Sequence, residues 1–329
     1  MLRKIRRAFA ARYLFDNWYS LLIKYVFAKV GLKVKLKARI DGCIHEVTPE
    51  GFARLVSRYY RGLINDLECK DSKVFLNGVE VSNINEVIYS LEKWAEVFGW
   101  IYDSSCNCWT KDNIRFRYMR ESILAIFEYG GWYEKIDVKD RVVVDVGAYI
   151  GDSAIYFASR GARKVVALEP HPGAYEEMLE NIRLNSLENI IFPINAGLAS
   201  RPGKILLEEV DVEATNVTYY KPNDRKGSIP AVTLQDLIKR FDLNNAILKM
   251  NCEGCEYDVI LNDYEHVKTF DELIFQYHAF TTKIPVKLLL EKLSEGFTCE
   301  MLSDEKFYRK YGGNQKLHGL VKCTKNSRF

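Results

Sequence analysis

The sequence of 329 residues lacks the features that are typical of membrane, secreted and nucleic-acid-binding proteins. It has no run of about 20 uncharged apolar residues, so we expect no membrane-spanning helix. Its eight cysteines are too few for a disulfide scaffold, and its basic start lacks the apolar core and cleavage site of a signal peptide. The net charge of +3 is too small to indicate a nucleic-acid partner. These absences predict a cytoplasmic, mostly reduced protein that does not bind nucleic acid.

The most informative stretch lies between residues 142 and 170. An apolar run ends at an acid and two glycines, a short helical pattern follows, and a second apolar run ends at another acid. The residues are Val142–Val144, Asp145, Gly147, Gly151, Val165–Leu168 and Glu169. This order predicts one βαβ unit. Its glycines let the backbone approach a ligand, and its last acid can accept hydrogen bonds from ribose hydroxyls.

The glycine turn distinguishes between two cofactors. Its pattern is D-x-G-x-x-x-G, which differs from the G-x-G-x-x-G of dinucleotide folds, and no P-loop Lys-Ser/Thr follows. Asp145 would repel a pyrophosphate but could pair with a cationic amino acid group. The turn therefore favours S-adenosylmethionine over NAD, and an NAD-dependent oxidoreductase remains the alternative.

Strand and helix patterns alternate over about 150 residues from this unit onward, which predicts an α/β fold with a Rossmann-like, doubly wound, mostly parallel sheet. The segment Asp211–Ser228 is polar and is expected to be a loop. Ligands bind at the carboxyl ends of the strands in such sheets. The predicted strand ends carry a polar set: Asp145, Gly147, Glu169, Asn195, Asn251, Glu253 and His278.

The rest of the chain suggests a division at about residues 30 and 120. Residues 1–30 form a basic, aromatic-rich amphipathic helix pattern, which can lie on an anionic membrane surface or, more commonly, pack against the protein. Residues 31–120 indicate an α+β accessory region with two hairpins, at Asp41-Gly42 and Asn77-Gly78. A helix is predicted from Ile84 to Phe98, and residues 121–329 form the cofactor-binding domain.

Four segments of this domain resemble the FkbM-type methyltransferases, which are S-adenosylmethionine-dependent O-methyltransferases. The segments are DVGAYIGDSAIYFA, ALEPHPGAYEEMLENIRLN, IPAVTLQDLI and LKMNCEGCEYDVI, and they follow the family's order over roughly residues 120–280. The resemblance implies methyl transfer to a hydroxyl of a small molecule, sugar or glycan. It also implies cofactor contacts at Asp145, Gly147, Tyr149, Gly151, Glu169, Pro170, Asn195 and Ala196.

The family's later motif runs approximately Lys-x-Asp-x-Glu-Gly-x-Glu, and Asn251 stands here where the family usually has Asp. This loss of a carboxylate suggests an alternative, a cofactor-binding relic without catalysis. Glu253 and His278 are the candidate general bases, with a helix cap and a hydrogen-bonded strand end as their structural alternatives. Lys249 could hold an anionic or hydroxyl-rich acceptor, and no metal site is expected.

Two cysteine pairs are candidate zinc ligands, Cys106-x-Cys108 and Cys252-x-x-Cys255. Four thiolates would suit zinc, but the C-x-C spacing is unusual and the second pair falls inside the family's acidic motif. Free buried thiols are the default expectation, with a disulfide as the alternative if the source is a hyperthermophile.

Overall fold

The structure is a computed structural model that describes residues 2–205 and 229–326. The chain forms two compact units. Unit 1 consists of residues 1–102 and 309–311, and unit 2 of residues 103–308 and 312–329. The polar loop predicted at Asp211–Ser228 lies outside the described residues. The division into three parts stays a prediction.

Unit 1 combines short helices with antiparallel strands. A 3-10 helix, Ala10–Tyr13, separates its first two α-helices. The α-helices and strands, in chain order, are α1 (Leu2–Phe9), α2 (Trp18–Lys29), β1 (Leu36–Ile40), β2 (Cys43–Val47), α3 (Pro49–Arg61), β3 (Leu67–Lys70), β4 (Lys73–Leu76), β5 (Val79–Val81), α4 (Ile84–Tyr89) and α5 (Leu91–Glu96).

Both predicted hairpins of unit 1 are confirmed. β1 pairs with β2, and β4 pairs with β5, each in antiparallel register. The turn residues Asp41, Gly42, Asn77 and Gly78 all have positive φ, at 45°, 85°, 50° and 78°. Asn-Gly and Asp-Gly adopt this turn at low cost, which explains why the sequence signal was sufficient.

Two helices expected to be continuous are interrupted. Residues 1–30 break between Leu14 and Asn17, where the Asp16 side chain accepts a 2.9 Å hydrogen bond from the amide of Gly42. The predicted helix Ile84–Phe98 is wrong as a single element, because Ser90 has an extended backbone and its side chain caps α5 through the Lys93 amide. Ser90 favours this break because serine caps helices better than it extends them.

Unit 2 contains the remaining elements, of which the first strand and the last helix cross the boundary between the units. They are β6 (Ile101–Asp103), β7 (Cys108–Lys111), β8 (Ile114–Phe116), α6 (Glu121–Phe127), β9 (Val142–Val146), α7 (Asp152–Ser159), β10 (Lys164–Leu168), α8 (Pro172–Leu184), β11 (Ile191–Ile194), β12 (Gly197–Leu198), β13 (Gly203–Ile205), β14 (Ile229–Val232), α9 (Leu234–Arg240), β15 (Ala246–Met250), α10 (Cys255–Asn262), α11 (Tyr264–Val267), β16 (Glu272–His278), α12 (Ala279–Thr282), α13 (Val286–Leu293), β17 (Phe297–Met301), α14 (Glu305–Tyr311) and β18 (His318–Lys325).

A seven-stranded sheet organises unit 2, with the order β11-β10-β9-β15-β16-β18-β17. Its first five strands are parallel, and β18 runs antiparallel to both of its neighbours. The Rossmann-like α/β fold expected from the sequence is confirmed. β9 and β15 are buried along their whole length, as parallel strands covered on both faces are. The chain reverses its direction of strand addition between β9 and β15, where such sheets bind ligands.

The cysteines differ from expectation. All eight form disulfides: Cys43–Cys69, Cys106–Cys108, Cys252–Cys255 and Cys299–Cys323. The expectation of free buried thiols is therefore wrong. Two pairs join residues more than 20 positions apart, and Cys299 lies opposite Cys323 in the β17–β18 register, so sequence spacing gave no signal for them. Among the described residues, no helix has the length and apolar character needed to cross a membrane.

Candidate active site

The turn after β9 is built around close backbone contacts. Gly147 has a φ of +73°, and a Cβ placed on it would lie 2.0 Å from the carbonyl oxygen of Asn251. The amides of Gly147 and Ala148 both donate to the carbonyl of Leu168, at 3.0 and 2.9 Å. Gly151 has a φ of +84°, and its Cβ would approach the Met178 side chain to 2.9 Å. The glycines therefore let the turn after β9 pack closely against the loop after β15 and against α8.

Glu169 follows β10 and is held by the backbone around it. Its two carboxylate oxygens accept hydrogen bonds from the amides of Tyr149 and His171, each at 2.8 Å. Burial raises the pKa of Glu169 to about 7, although both amides and Lys249 oppose the shift. Each carboxylate oxygen has a second lone pair, so Glu169 can still accept from a ligand hydroxyl.

Asn195, a predicted cofactor contact, holds the loop that carries Glu169. Its side-chain amide donates to the carbonyls of Glu169 at 2.9 Å and Pro170 at 3.3 Å. These hydrogen bonds fix the backbone that carries the Glu169 side chain.

Lys249 and Asp145 form a buried ion pair between the two central strands. The Lys249 Nζ lies 2.6 Å from Asp145 Oδ1, and both side chains are at most 2% exposed. Asp145 Oδ2 accepts a 2.7 Å hydrogen bond from Ser153, and Lys249 also donates to the Gly147 carbonyl at 2.9 Å. The sequence suggested an acceptor-binding role for Lys249 and a cofactor contact for Asp145. In the structure the two charged groups pair with each other.

The loop after β15 and the end of β16 bring together two carboxylates and an imidazole. Glu256 Oε1 lies 2.9 Å from His278 Nδ1 and also accepts from the His278 amide at 2.9 Å. On the other side of the ring, His278 Nε2 lies 3.4 Å from Glu253 Oε1. Glu253 Oε2 is buried without a hydrogen-bond partner among the described residues. Glu253, His278 and Glu256 thus form a line, which we call the acid–imidazole cluster.

The titration of this cluster follows from its burial and charges. Burial raises the pKa of Glu253, and Glu256 adds to that shift while His278 opposes it. Burial alone would lower the pKa of His278, but its contacts with Glu256 and Glu253 outweigh burial and the net pKa is raised. The negative carboxylates therefore favour a protonated imidazole between them.

Glu253 also has an unusual backbone. Its φ is +54°, in the left-handed region that non-glycine residues seldom adopt. Tyr149, on the turn after β9, has a φ of +50°. Strained residues of this kind cluster at binding and catalytic sites. The Cys252–Cys255 disulfide spans the Glu253 loop.

These loops enclose a cavity at the carboxyl ends of β9, β10 and β15, which we call the cofactor cavity. Its lining residues are Ser122, Ile126, Tyr133, Val146, Gly147, Tyr149, Asp152, Ser153, Leu168, Glu169, Pro170, Ala196, Gly197, Leu198, Ile205, Lys249, Asn251, Cys252, Glu253 and Cys255. Seven of the predicted site residues are in this set: Gly147, Tyr149, Glu169, Pro170, Ala196, Lys249 and Glu253. The other four predicted residues do not line the cavity but contact residues near it: Asp145, Gly151, Asn195 and His278.

Sequence reasoning missed part of the lining. Asp152 lines the cavity, and burial raises its pKa to about 6. Ser122 and Ile126 come from α6, which carries no motif that could have identified them. Tyr133 both lines the cavity and packs on Phe157, with ring centroids 5.1 Å apart.

Comparison with known proteins identifies the domain. Residues 145–296 match the family model described as the methyltransferase FkbM domain. This chain carries an FkbM methyltransferase domain. The expected family is confirmed, and with it an S-adenosylmethionine-dependent methyltransferase as the class of the domain and S-adenosylmethionine as its cofactor.

The chain also resembles individual proteins over shorter or more distant matches. It is 32% identical over 76 residues to the tRNA(Phe) (4-demethylwyosine(37)-C(7)) aminocarboxypropyltransferase of Pyrococcus horikoshii, a match that covers 23% of this chain and 27% of that enzyme. An rRNA methylase from Streptococcus thermophilus is similar at 14% identity, 58% coverage of this chain, 90% of that chain and a TM-score of 0.35. TrmK from M. capricolum, in complex with S-adenosyl-homocysteine, is similar at 12% sequence identity and a TM-score of 0.34. The match covers 63% of this chain and 67% of TrmK.

The partly matching tRNA enzyme corrects one expectation. The sequence predicts no nucleic-acid partner, yet that relative is, by its name, an enzyme that acts on tRNA(Phe). The exclusion of nucleic acid is therefore wrong. Its basis was the net charge of +3, which is an average over the chain and does not describe any local surface. The structural similarities, with TM-scores below 0.5, do not establish the acceptor of this chain.

Proposed function

We propose that unit 2 transfers a methyl group from S-adenosylmethionine to a hydroxyl oxygen of a small molecule, a sugar or a glycan. We further propose that Glu253 is the general base. The observation that supports the proposal is the acid–imidazole cluster: Glu253 is among the residues that line the cofactor cavity of an FkbM methyltransferase domain, and its Oε2 has no hydrogen-bond partner among the described residues.

The residues of the cavity suit a cationic ribonucleoside. Three carboxylates line it, those of Asp152, Glu169 and Glu253, whereas the charge of its lysine, Lys249, is balanced by Asp145. S-adenosylmethionine supplies an electrophilic methyl group on a positively charged sulfur and carries an α-ammonium group. Glu169 would accept hydrogen bonds from the ribose hydroxyls of this nucleoside. A pyrophosphate would meet the carboxylates instead, which disfavours the NAD alternative.

The acid–imidazole cluster provides a destination for the proton of the acceptor. Burial raises the pKa of Glu253, so its carboxylate is a stronger base than an exposed one. His278 lies beside it and can balance the charge of its ionised form. Glu256 accepts a hydrogen bond from Nδ1, which fixes the orientation of the ring and leaves Nε2 toward Glu253. In this scheme Glu253 takes the proton, and His278 and Glu256 are positioning residues.

The Glu253→Gln variant tests the base. A general base contributes roughly 10²–10⁴-fold to the rate, so turnover should fall by that factor. The cofactor contacts lie mainly on the earlier strands, so S-adenosylhomocysteine affinity, measured by titration calorimetry, should stay within about two-fold. Glu188→Gln is the matched control, because Glu188 is exposed on the same unit. Near-full turnover of Glu253→Gln on an established acceptor would show that another group removes the proton.

The acceptor class needs a separate experiment. Transfer of labelled methyl groups should be measured over hydroxylated small molecules, sugars, glycans and tRNA, and the product bond should be identified by mass spectrometry. The tRNA arm is included because a partial relative is a tRNA enzyme. Methyl ethers on a sugar or small molecule support the proposal. Transfer only to a nucleobase carbon or nitrogen would refute it, and binding of cofactor without any transfer would favour the relic.

A further inference from the structure

The N-terminal segment of unit 1 exposes an unusual number of apolar side chains. Of the 17 exposed large apolar residues in the described chain, nine lie between residues 5 and 32. They are Ile5, Phe9, Tyr13, Tyr19, Ile23, Val26, Phe27, Val30 and Leu32. A short segment thus carries half of the exposed large apolar side chains, and such concentration marks interaction surfaces.

The apolar stripe of α2 faces away from its own unit. Tyr19, Ile23, Val26 and Phe27, with Val30 at the helix end, recur at spacings of three and four, which places them on one side of a helix. All five are exposed, from 40% at Ile23 to 71% at Val30. The buried residue of α2, Leu21, lies on the opposite side. An ordinary surface helix presents charged and polar residues on the side that faces away from the core.

The preceding helical segments also expose apolar side chains. Ile5, Phe9 and Tyr13 are spaced by four residues, are all exposed, and line a groove together with Arg6 and Arg12. We call the exposed apolar residues of 5–32 and the cations among them the N-terminal face.

The charges of the N-terminal face have one sign. Residues 5–33 contain Arg6, Arg7, Arg12, Lys24, Lys29 and Lys33, and a single acid, Asp16. Their net charge of +5 exceeds the +3 of the whole chain, so the remainder of the chain is slightly acidic. Asp16 is engaged with the amide of Gly42. On a helical projection, Lys24 and Lys29 flank the apolar stripe of α2 on its two sides.

We propose that the N-terminal face docks the protein on an anionic lipid bilayer, with α1 and α2 lying in the interface. Apolar side chains of amphipathic helices insert at the boundary of headgroups and acyl chains, and flanking cations attract anionic headgroups. Five of the nine apolar residues are aliphatic, among them Ile23, Val26 and Val30. Aliphatic side chains enter hydrocarbon but cannot stack on bases as a single-stranded RNA site requires. The composition of the face therefore favours lipid over RNA.

The experiment measures partitioning of the full-length protein onto vesicles by co-sedimentation. Vesicles of phosphatidylcholine alone are compared with vesicles that also contain phosphatidylglycerol, at low and high salt. We expect binding to the anionic vesicles that weakens with salt. Lys24→Gln/Lys29→Gln should lower that binding by about five-fold per cation removed, or roughly 25-fold together, with little change on neutral vesicles.

The apolar contribution has its own variant and control. Val26→Ser/Val30→Ser should lower partitioning by at least about ten-fold, because two exposed aliphatic side chains no longer enter the bilayer. Ile44→Ser removes a comparably exposed aliphatic residue from β2 and should change nothing. Circular dichroism checks that the variants remain folded.

Three results would overturn the proposal. These are no binding to anionic vesicles at low salt, equal loss in Ile44→Ser, or tRNA retention that the α2 variants abolish while vesicle binding is absent. The last result would assign the face to RNA. Methyl transfer in solution is not the readout, so failure here leaves the proposed reaction unaffected.

Discussion

Replacing Lys249 by methionine separates a structural role of this lysine from the acceptor-binding role that the sequence suggested. Lys249 is paired at 2.6 Å with Asp145, and neither side chain is more than 2% exposed. Removing one partner of a buried ion pair leaves an uncompensated buried charge, which costs about 3–5 kcal/mol. We therefore expect Lys249→Met to lower the free energy of unfolding by about that amount, measured by urea denaturation at constant pH with the disulfides intact.

Two further variants make this measurement decisive. Lys239→Met, on the exposed side of α9, should change stability by less than about 0.5 kcal/mol. Asp145→Asn/Lys249→Met removes both charges and should recover part of the loss, because no unpaired charge remains. If Lys249→Met unfolds like the wild type but has a raised KM for the acceptor, the ion pair is not structural and the acceptor-binding role is favoured.

Two more predictions concern the glycine turn and the acid that follows β10. Gly147→Ala should lose stability and S-adenosylhomocysteine affinity, because its Cβ would lie 2.0 Å from the Asn251 carbonyl oxygen. The control Gly62→Ala has a similar φ of +76° but open space around its Cβ, so it should lose only the roughly 1 kcal/mol of backbone strain. Equal effects of the two variants would refute the steric argument. Burial raises the pKa of Glu169 to about 7 from 4.5, so the folded state binds more protons and this group's contribution to stability is lost as pH rises from 4.5 to 7. In the wild type this group should lower the free energy of unfolding by about 3 kcal/mol between pH 4.5 and 7, measured by denaturant titrations at several pH values. Glu169→Gln should lack this decrease, and a pH profile identical to that of the wild type would refute the raised pKa.

Local signals were sufficient for the hairpins and for the sheet. Asp41-Gly42 and Asn77-Gly78 determine their own turn geometry, and the continuous apolar runs of β9 and β15 are typical of buried parallel strands. These elements could be predicted because the physical cause lies within a few residues. The cap at Ser90 was also visible in the sequence, but the helical spacing around it concealed it.

Features that depend on register could not be predicted in the same way. Lys249 and Asp145 are opposite each other in the β9–β15 pairing, 104 positions apart in the chain. Asp145 is predicted as a site residue from its place at a strand end and Lys249 from the family's later motif, but their mutual pairing depends on the strand order. The break in the N-terminal helix likewise depends on a contact between Asp16 and a distant hairpin amide. The residue types therefore indicate which positions belong to the site, but only the tertiary contacts determine which side chains pair with each other.

Asn251, where the family usually has Asp, bears on whether the domain is a relic. An aspartate there would add a fourth carboxylate to a cavity that Asp152, Glu169 and Glu253 already line. Like charges raise the pKa of a neighbouring carboxyl, and burial already raises that of Glu253. A base must be ionised to accept a proton, so an aspartate at 251 would oppose the ionisation of Glu253. With His278 as the imidazole beside Glu253, a neutral residue at 251 is compatible with Glu253 as the base, and the departure from the family pattern does not by itself favour a relic.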